Sequence, residues 1–325
     1  MKRVGPVVVA LILALGMAIP VGTAFAGSTL PNGFTAKVVA SSGQTISGTI
    51  TATGYDVGIY IGPGIHDVKV VGATVNGAND EGILVQDASN ILIEGSTVQG
   101  NAVSAYTGGS ETKGIVLAGT RNVLVKQNTV ESNGHGGISV LDDGPNSPFA
   151  PTAIDSKAVA GTGNVITENS VKDNAVDCGI VLSAKNPGGG VSDNVISGNT
   201  VTGGVGGIVV AGGASGPVSV TNNVVSKNVV TGGDLPGISL HAFGPGTISG
   251  TQLVGNVLSS NGVGSVSGKT TGIEIFAVPN VGTIAGTQVL KDSISGDYYG
   301  VYHVGDTGTH IAGLTTSSVT TPVFP

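Results

Sequence analysis

The chain has 325 residues, with 13 Lys plus Arg against 20 Asp plus Glu, and a formal net charge of −7. No stretch concentrates basic residues, which argues against nucleic acid and anionic membrane surfaces as partners. Cys178 is the only cysteine, so an intrachain disulfide is excluded and stability must come from hydrogen bonding and a core.

Residues 1–26 read as an export signal. Lys2 and Arg3 form a short positive start, Val7 to Ile19 is apolar, and Ala24-Phe25-Ala26 has the small-x-small form that signal peptidase cuts. The apolar run falls short of the ~20 residues that span a bilayer. The mature chain is expected to start at Gly27, and losing Lys2 and Arg3 takes its net charge from −7 to −9. A secreted or extracytoplasmic location follows, with no membrane span later in the sequence. Residues 27–53, strand-like and rich in Ser, Thr and Gly, are expected to form an N-terminal cap.

From there a four-residue pattern organises the chain: Gly, Ile, any residue, then Val, Leu or Ile. It begins at Gly58, Gly82, Gly114, Gly137, Gly179, Gly207, Gly237 and Gly272, with a degraded ninth copy, Gly300-Val301-Tyr302-His303. The spacings are 24, 32, 23, 42, 28, 30, 35 and 28 residues. A short strand recurring at such intervals marks a stacked repeat array. Within each copy the period is two, so Ile115 and Leu117 point one way and Val116 the other.

A second apolar patch follows each first one, and turn residues separate the two. Aligned on that patch, one position holds Ala73, Ser96, Asn128, Asn169, Asn199, Asn228, Asn256 and Asp292. Asn tolerates left-handed backbone angles and bonds nearby main chain, and stacked in register its amide can bond the next Asn in a ladder. Two residues later the column is apolar: Val75, Val98, Val130, Val171, Val201, Val230, Leu258 and Ile294.

Columns of this kind imply parallel strands joined by right-handed connections. Over roughly Gly54 to Val319 the chain resembles the right-handed parallel β-helix proteins, the architecture of pectate lyases, polygalacturonases, tailspikes and copper-accessory proteins of the NosD type. The resemblance implies an all-β solenoid of about nine coils over residues 54–313, closed by a tail or cap at 314–325. Nine coils at a strand spacing of ~4.8 Å make a rod of roughly 40 Å. The repeat encodes core and turns, so function must be sought where the regularity breaks.

Three breaks are large. Leu141 to Gly163 carries Asp142, Asp143, Phe149 and Asp155; Gly100 to Lys113 carries Tyr106, Glu111 and Lys113; the third is Ser259 to Thr271. His135 and Asp177 each lie just before a Gly-Ile strand, one coil apart, and His241 and Ser183 just after one, with Lys185 nearby. The candidate catalytic residues are therefore Asp142, Asp143, Asp177, His241, His135 and Lys185, gathered on one flank of the rod. Cys178, beside Asp177, is expected to be a small buried apolar residue.

Two classes of function fit. One is processing of an extracellular polysaccharide. A hydrolase would use two of the aspartates as acid and base; a lyase would use Lys185 or His241 as base, with Ca2+ as the natural ion for oxygen ligands. The other is a non-catalytic cell-surface scaffold, binding protein or NosD-like accessory protein. Gly134-His135-Gly136 and Asp142-Asp143 look like two polygalacturonase signatures, but in reversed order and without that family's Arg-x-Lys, so none of its roles is carried over. The outward positions Tyr60, Leu84, Val116, Ser139, Val181, Val209, Ser239, Glu274 and Tyr302 include an apolar stripe that calls for a partner, an oligomer or a covering loop. Tyr106, Phe149, Phe243, Phe276, Tyr298 and Tyr299 are the rings best placed to stack on a sugar, in a chain with no Trp.

Overall fold

The structure is a computed structural model that describes residues 27–30, 33–102, 113–147, 157–213 and 216–325. The expected export signal, and Tyr106, Glu111, Phe149 and Asp155, lie outside the described residues. Among the described residues there is no helix, and hence none long and apolar enough to cross a membrane.

Among the described residues, the Gly-Ile copies form one face of the solenoid, a twelve-stranded sheet called here the front sheet. Its parallel register runs Ile59, Ile83, Ile115, Ile138, Ile180, Ile208, Ile238, Ile273, Val301. All nine are fully buried. The second patches form an eighteen-stranded back sheet, and short strands such as Gly190–Ser192 form a five-stranded third sheet. Each coil thus crosses the front, turns, runs through the back, and returns one strand spacing further on.

The front sheet extends one parallel strand beyond the Gly-Ile copies at each end. The segment expected as a cap supplies Thr35–Val39, paired with Val57–Ile61, and Thr45–Thr51 in the back sheet. The tail supplies Thr321–Phe324, paired with Tyr299–Val304. These two coils lack the Gly-Ile signature, which is why the pattern alone counts nine where the front sheet has eleven parallel strands.

The core is one aliphatic column of Ile, Val, Leu and Ala running the length of the coils. Burying each large aliphatic side chain contributes about 1.5–3 kcal/mol. The leading glycine of the motif is explained by this packing. A Cβ on Gly137 would stand 2.5 Å from Val171 Cγ1, a member of the apolar column of the back sheet. Backbone there approaches side chain too closely for any other residue.

The expected asparagine ladder is present and fully buried. Asn169 Oδ1 accepts from the backbone N of Asn128 (3.0 Å) and from its Nδ2 (2.9 Å). Asn199, Asn228 and Asn256 repeat the arrangement, and Asp292 ends it by accepting from Asn256 N and Nδ2. One expectation is corrected. The left-handed residue is the one before the ladder position: Gln127 (φ 56°), Glu168 (φ 56°), Lys227 (φ 55°) and Lys291 (φ 60°). The Asn itself serves as a bond donor and acceptor at the turn, and its neighbour takes the backbone bend.

Candidate functional site

The outward face of the front sheet is mostly covered. Leu84 and Val116 are fully buried in a second apolar cluster with Leu30, Ala36, Val57, Tyr60, Ala118 and Leu141, flanked by Phe34 and Val39. Over the first half of the rod the apolar stripe is therefore a second core. The stripe becomes half-exposed at Val181 and Val209. There a depression of about 230 Å3 opens, lined by Lys113, Asp177, Cys178, Val181, Ser183, Lys185, Val209 and Ala211.

Its floor is the strands Cys178–Ala184 and Gly206–Gly212, in register Val181 to Val209 and Ser183 to Ala211. One wall is an ion pair between Lys113 and Asp177. Lys113 opens the strand Lys113–Ala118, where the sequence placed it in an insertion. Its side chain is 1% exposed and passes over Gly136 on the intervening strand to reach Asp177, two coils on. A Cβ at Gly136 would lie 2.5 Å from Lys113 Cδ, so the glycine is what lets the lysine through. Burial pushes the Asp177 carboxyl up, but the Lys113 ammonium and the Cys178 backbone N–H (2.7 Å) outweigh it and hold it below the usual range. Burial, with Asp177 adding, raises the Cys178 thiol to about 12, so this cysteine is a packed apolar group and an inert one.

On the other wall, burial lowers the Lys185 ammonium below its ordinary range. Lys185 is carried by a turn that Asp142 holds in place. Asp142 accepts from the backbone N of Lys185 (2.8 Å) and of Asn186 (3.0 Å), and from Asn186 Nδ2 (3.2 Å). Asp142 is 1% exposed, and burial raises its carboxyl despite those bonds. Asp143, equally buried, accepts from Gln86 Nε2 (2.8 Å) and Gly144 N (2.9 Å). Gln86 in turn accepts from the Tyr60 hydroxyl (2.9 Å), so Asp143 belongs to a polar network inside the covered half of the face.

Of the six residues expected from sequence, Asp177 and Lys185 line the depression, and Asp142 shapes it from behind. His135 touches its edge through main chain, its carbonyl accepting from Val176 N (2.9 Å) and Asp177 N (2.8 Å). Asp143 lies away in the Tyr60 network. His241 stands one strand beyond the depression, next in register after Ala211.

His241 Nε2 donates to Glu274 Oε2 at 2.9 Å. Glu274 is an outward position of the front sheet, yet its side chain has no exposure. The third insertion folds over it: Ser265 Oγ donates to Oε2 (3.1 Å), and the backbone N–H groups of Ser267 (3.0 Å) and Val266 (3.2 Å) donate to Oε1. Burial alone would raise this carboxyl; the His241 bond and the two amides overcome it and hold it at about 2. Sequence reasoning named the position but not the role, because how the preceding insertion folds back over the carboxylate, and its bond to His241 on the previous coil, are not visible in the repeat pattern.

The carboxylates considered as Ca2+ ligands are occupied by these amide, amine and side-chain donors. Among the described residues no group of three or more His, Cys, Asp or Glu is arranged to hold a metal ion.

The model of the family described as "Right handed beta helix region" matches residues 22–154 and 112–224, more than half of the chain. The chain belongs to the right-handed β-helix family. Nothing among curated proteins matches it. Solved structures do. The Streptococcus pneumoniae surface adhesin PfbA aligns at 13% identity and TM-score 0.50, over 87% of this chain and 80% of that one. The Dettilon tailspike protein aligns at 16% and 0.52, over 87% and 60%, and a Yersinia enterocolitica family 28 exopolygalacturonase at 14% and 0.50, over 82% and 47%. This β-helix chain spans less than two thirds of the latter two, and at such identities the likeness is one of fold.

Proposed function

We propose that this β-helix protein acts outside the cytoplasm and binds a polysaccharide along the outward face of its front sheet. The observation that carries the reading is the depression on Val181 and Val209: an apolar floor with a few fixed charged groups at its walls, the usual form of a site that holds and orients a ligand. A sugar ring matches it, with C–H groups for the floor and hydroxyls for the Lys113–Asp177 pair and Lys185. The fold accommodates adhesins and glycan-processing enzymes alike, so the choice between them comes from the site. Asp142 and Asp143 are buried and bonded to main chain and amides, and Asp177 is bound to an ammonium, arrangements that support recognition over acid–base hydrolysis.

The test is binding of the secreted protein to a panel of neutral and uronic-acid polysaccharides, with Val209→Asp as the disabled control. No binding to any glycan, or equal binding by wild type and control, would sink the reading. N-terminal sequencing of exported protein checks the leader at 1–26; the expected first residue is Gly27. A second reading, catalysis, is favoured by one feature. A histidine fixed by a buried carboxylate is how proton-transfer groups are oriented, and His241 and Glu274 have that relation. New reducing ends, or absorbance from an unsaturated sugar, lost in His241→Ala, would establish it.

A further inference from the structure

The aromatic rings of this chain are distributed in a way that packing does not require. Among the described residues, the main core column contains no Phe or Tyr. Yet six of the twelve Phe and Tyr residues lie in two clusters on the outward side of the last coils, Phe243 with Phe276, and Tyr298 with Tyr299, Tyr302 and Phe324. Partly exposed rings leave apolar area in water, and clustered ones mark a surface that is covered in use.

We infer that these coils carry a stacking platform for a neutral hexose polysaccharide, with Phe243, Phe276, Tyr298 and Tyr299 as its principal rings. The inference rests on the glycan-binding reading above and names its substrate class and contact residues.

The rings form two connected groups. His241 meets Phe243 edge-on at 4.8 Å, and Phe243 meets Phe276 at 6.0 Å. Tyr298 meets Tyr299 edge-on at 4.8 Å, and Tyr299 meets Tyr302 at 5.2 Å. The most exposed rings are Phe243 (48%), Tyr298 (37%) and Phe324 (37%). The platform is continuous with the depression. Ser183, Ala211, His241 and Phe276 are successive partners in parallel register, and the first two line the depression. Three strand steps place Phe276 about 14 Å along the rod from Ser183. One straight track therefore leads from the charged depression to Phe276 and Phe243, while Tyr298 and Tyr299 stand at the opposite end of the front strands, Tyr299 opposite Thr271 in register.

The chemistry of the track fits a sugar chain. Two of the exposed rings have a polar neighbour: the His241 imidazole beside Phe243, and the Lys269 ammonium 5.4 Å from the centre of Tyr298. A pyranose offers the complementary alternation, a flat C–H face and a rim of hydroxyls. The formal net charge of −7 gives no long-range attraction for a polyuronate, which favours an uncharged polymer.

The test is affinity electrophoresis and calorimetry of the full chain with a soluble α-glucan, a β-glucan, a mannan, a galactan and polygalacturonate. At least one neutral polymer should bind. Phe243→Ala and Tyr298→Ala should each weaken that binding about three- to tenfold, the usual range for losing one aromatic contact. Circular dichroism and thermal unfolding should match wild type, because both rings project from the surface. Binding lost in Val209→Asp but unchanged in both ring variants would overturn the platform and leave the depression as the site. Tighter binding of polygalacturonate than of any neutral polymer would overturn the substrate class. A dimer seen by light scattering and dissolved by Phe243→Ala would assign the rings to a second copy of the chain. Failure of every polysaccharide would remove this inference together with the reading beneath it.

Discussion

A single glycine decides whether the lysine of the depression reaches its partner. Gly136 lies under the Lys113 side chain, and any Cβ there collides with Cδ. Gly136→Ala is expected to cost about 2 kcal/mol in chemical unfolding, through crowding and the loss of a buried ion pair. Part of that cost should disappear once Lys113 is already Ala, the crowding against the Cys178 carbonyl (2.9 Å) remaining; a double-mutant cycle measures the coupling. Glu274 offers a second test at this scale. Its carboxyl, held at about 2 against a usual value near 4.5, adds stability that is complete above the unfolded-state pKa. That stability is lost as pH falls from about 4.5 toward 2. The contribution is on the order of 3 kcal/mol. Glu274→Gln should lower unfolding stability at neutral pH and flatten its dependence over that acid window; an unchanged slope would show that the carboxylate is not held by this pocket. The sequence displayed Lys113 and Glu274 as residues, and Glu274 even as an outward position. It did not display the glycine beneath the first or the loop above the second.

At the scale of the element, the asparagine ladder is the clearest case of a pattern read directly from sequence. Its column survives steps from 28 to 41 residues because each Asn bonds only to the next coil, whatever the length of the excursion between. The ladder stops at Asp292. There Oδ1 still accepts from Asn256 N and Nδ2, but Oδ2 is buried with no partner. In the preceding coils the corresponding Nδ2 donates to a back-sheet carbonyl, as Asn256 does to Val225 O at 3.0 Å. By register Leu253 O is the acceptor available to a residue at 292. Burial raises the Asp292 carboxyl, so its ionisation works against the fold, with stability present at low pH and lost as pH rises through the folded value. Asp292→Asn should therefore stabilise the protein at neutral pH by about 1 kcal/mol, the net value of one satisfied buried bond. The gain should shrink at pH 3, and thermal melts at the two pH values check the sign.

For the whole molecule, the repeat predicts a rod, and stacking the front sheet makes it longer than the sequence count implied. Eleven parallel strands at ~4.8 Å give a solenoid of about 50 Å, against roughly 40 Å for nine. Small-angle scattering of the mature chain should find an elongated particle with a maximum dimension of at least the larger value. The missing coils were invisible because Thr35–Val39 and Thr321–Phe324 pair in register without a Gly-Ile signature. Where the neighbouring coil supplies the backbone ladder, local sequence is free to vary.

The sequence by itself determined the architecture, since a recurring strand, an inward Ile and a turn Asn are local features repeated at every step. Ile83, Ile115, Ile180 and Ile238 are all fully buried, as that periodicity requires. Only the tertiary structure decided which polar groups face a ligand. The candidate aspartates were chosen by their place beside a strand. Whether a carboxylate there meets solvent, an ammonium or two main-chain amides depends on loops that return from other coils. Asp142 under the Lys185 turn, Asp177 against Lys113, and Glu274 against His241 are each settled by a contact made across coils, and nothing in the local sequence encodes such a contact.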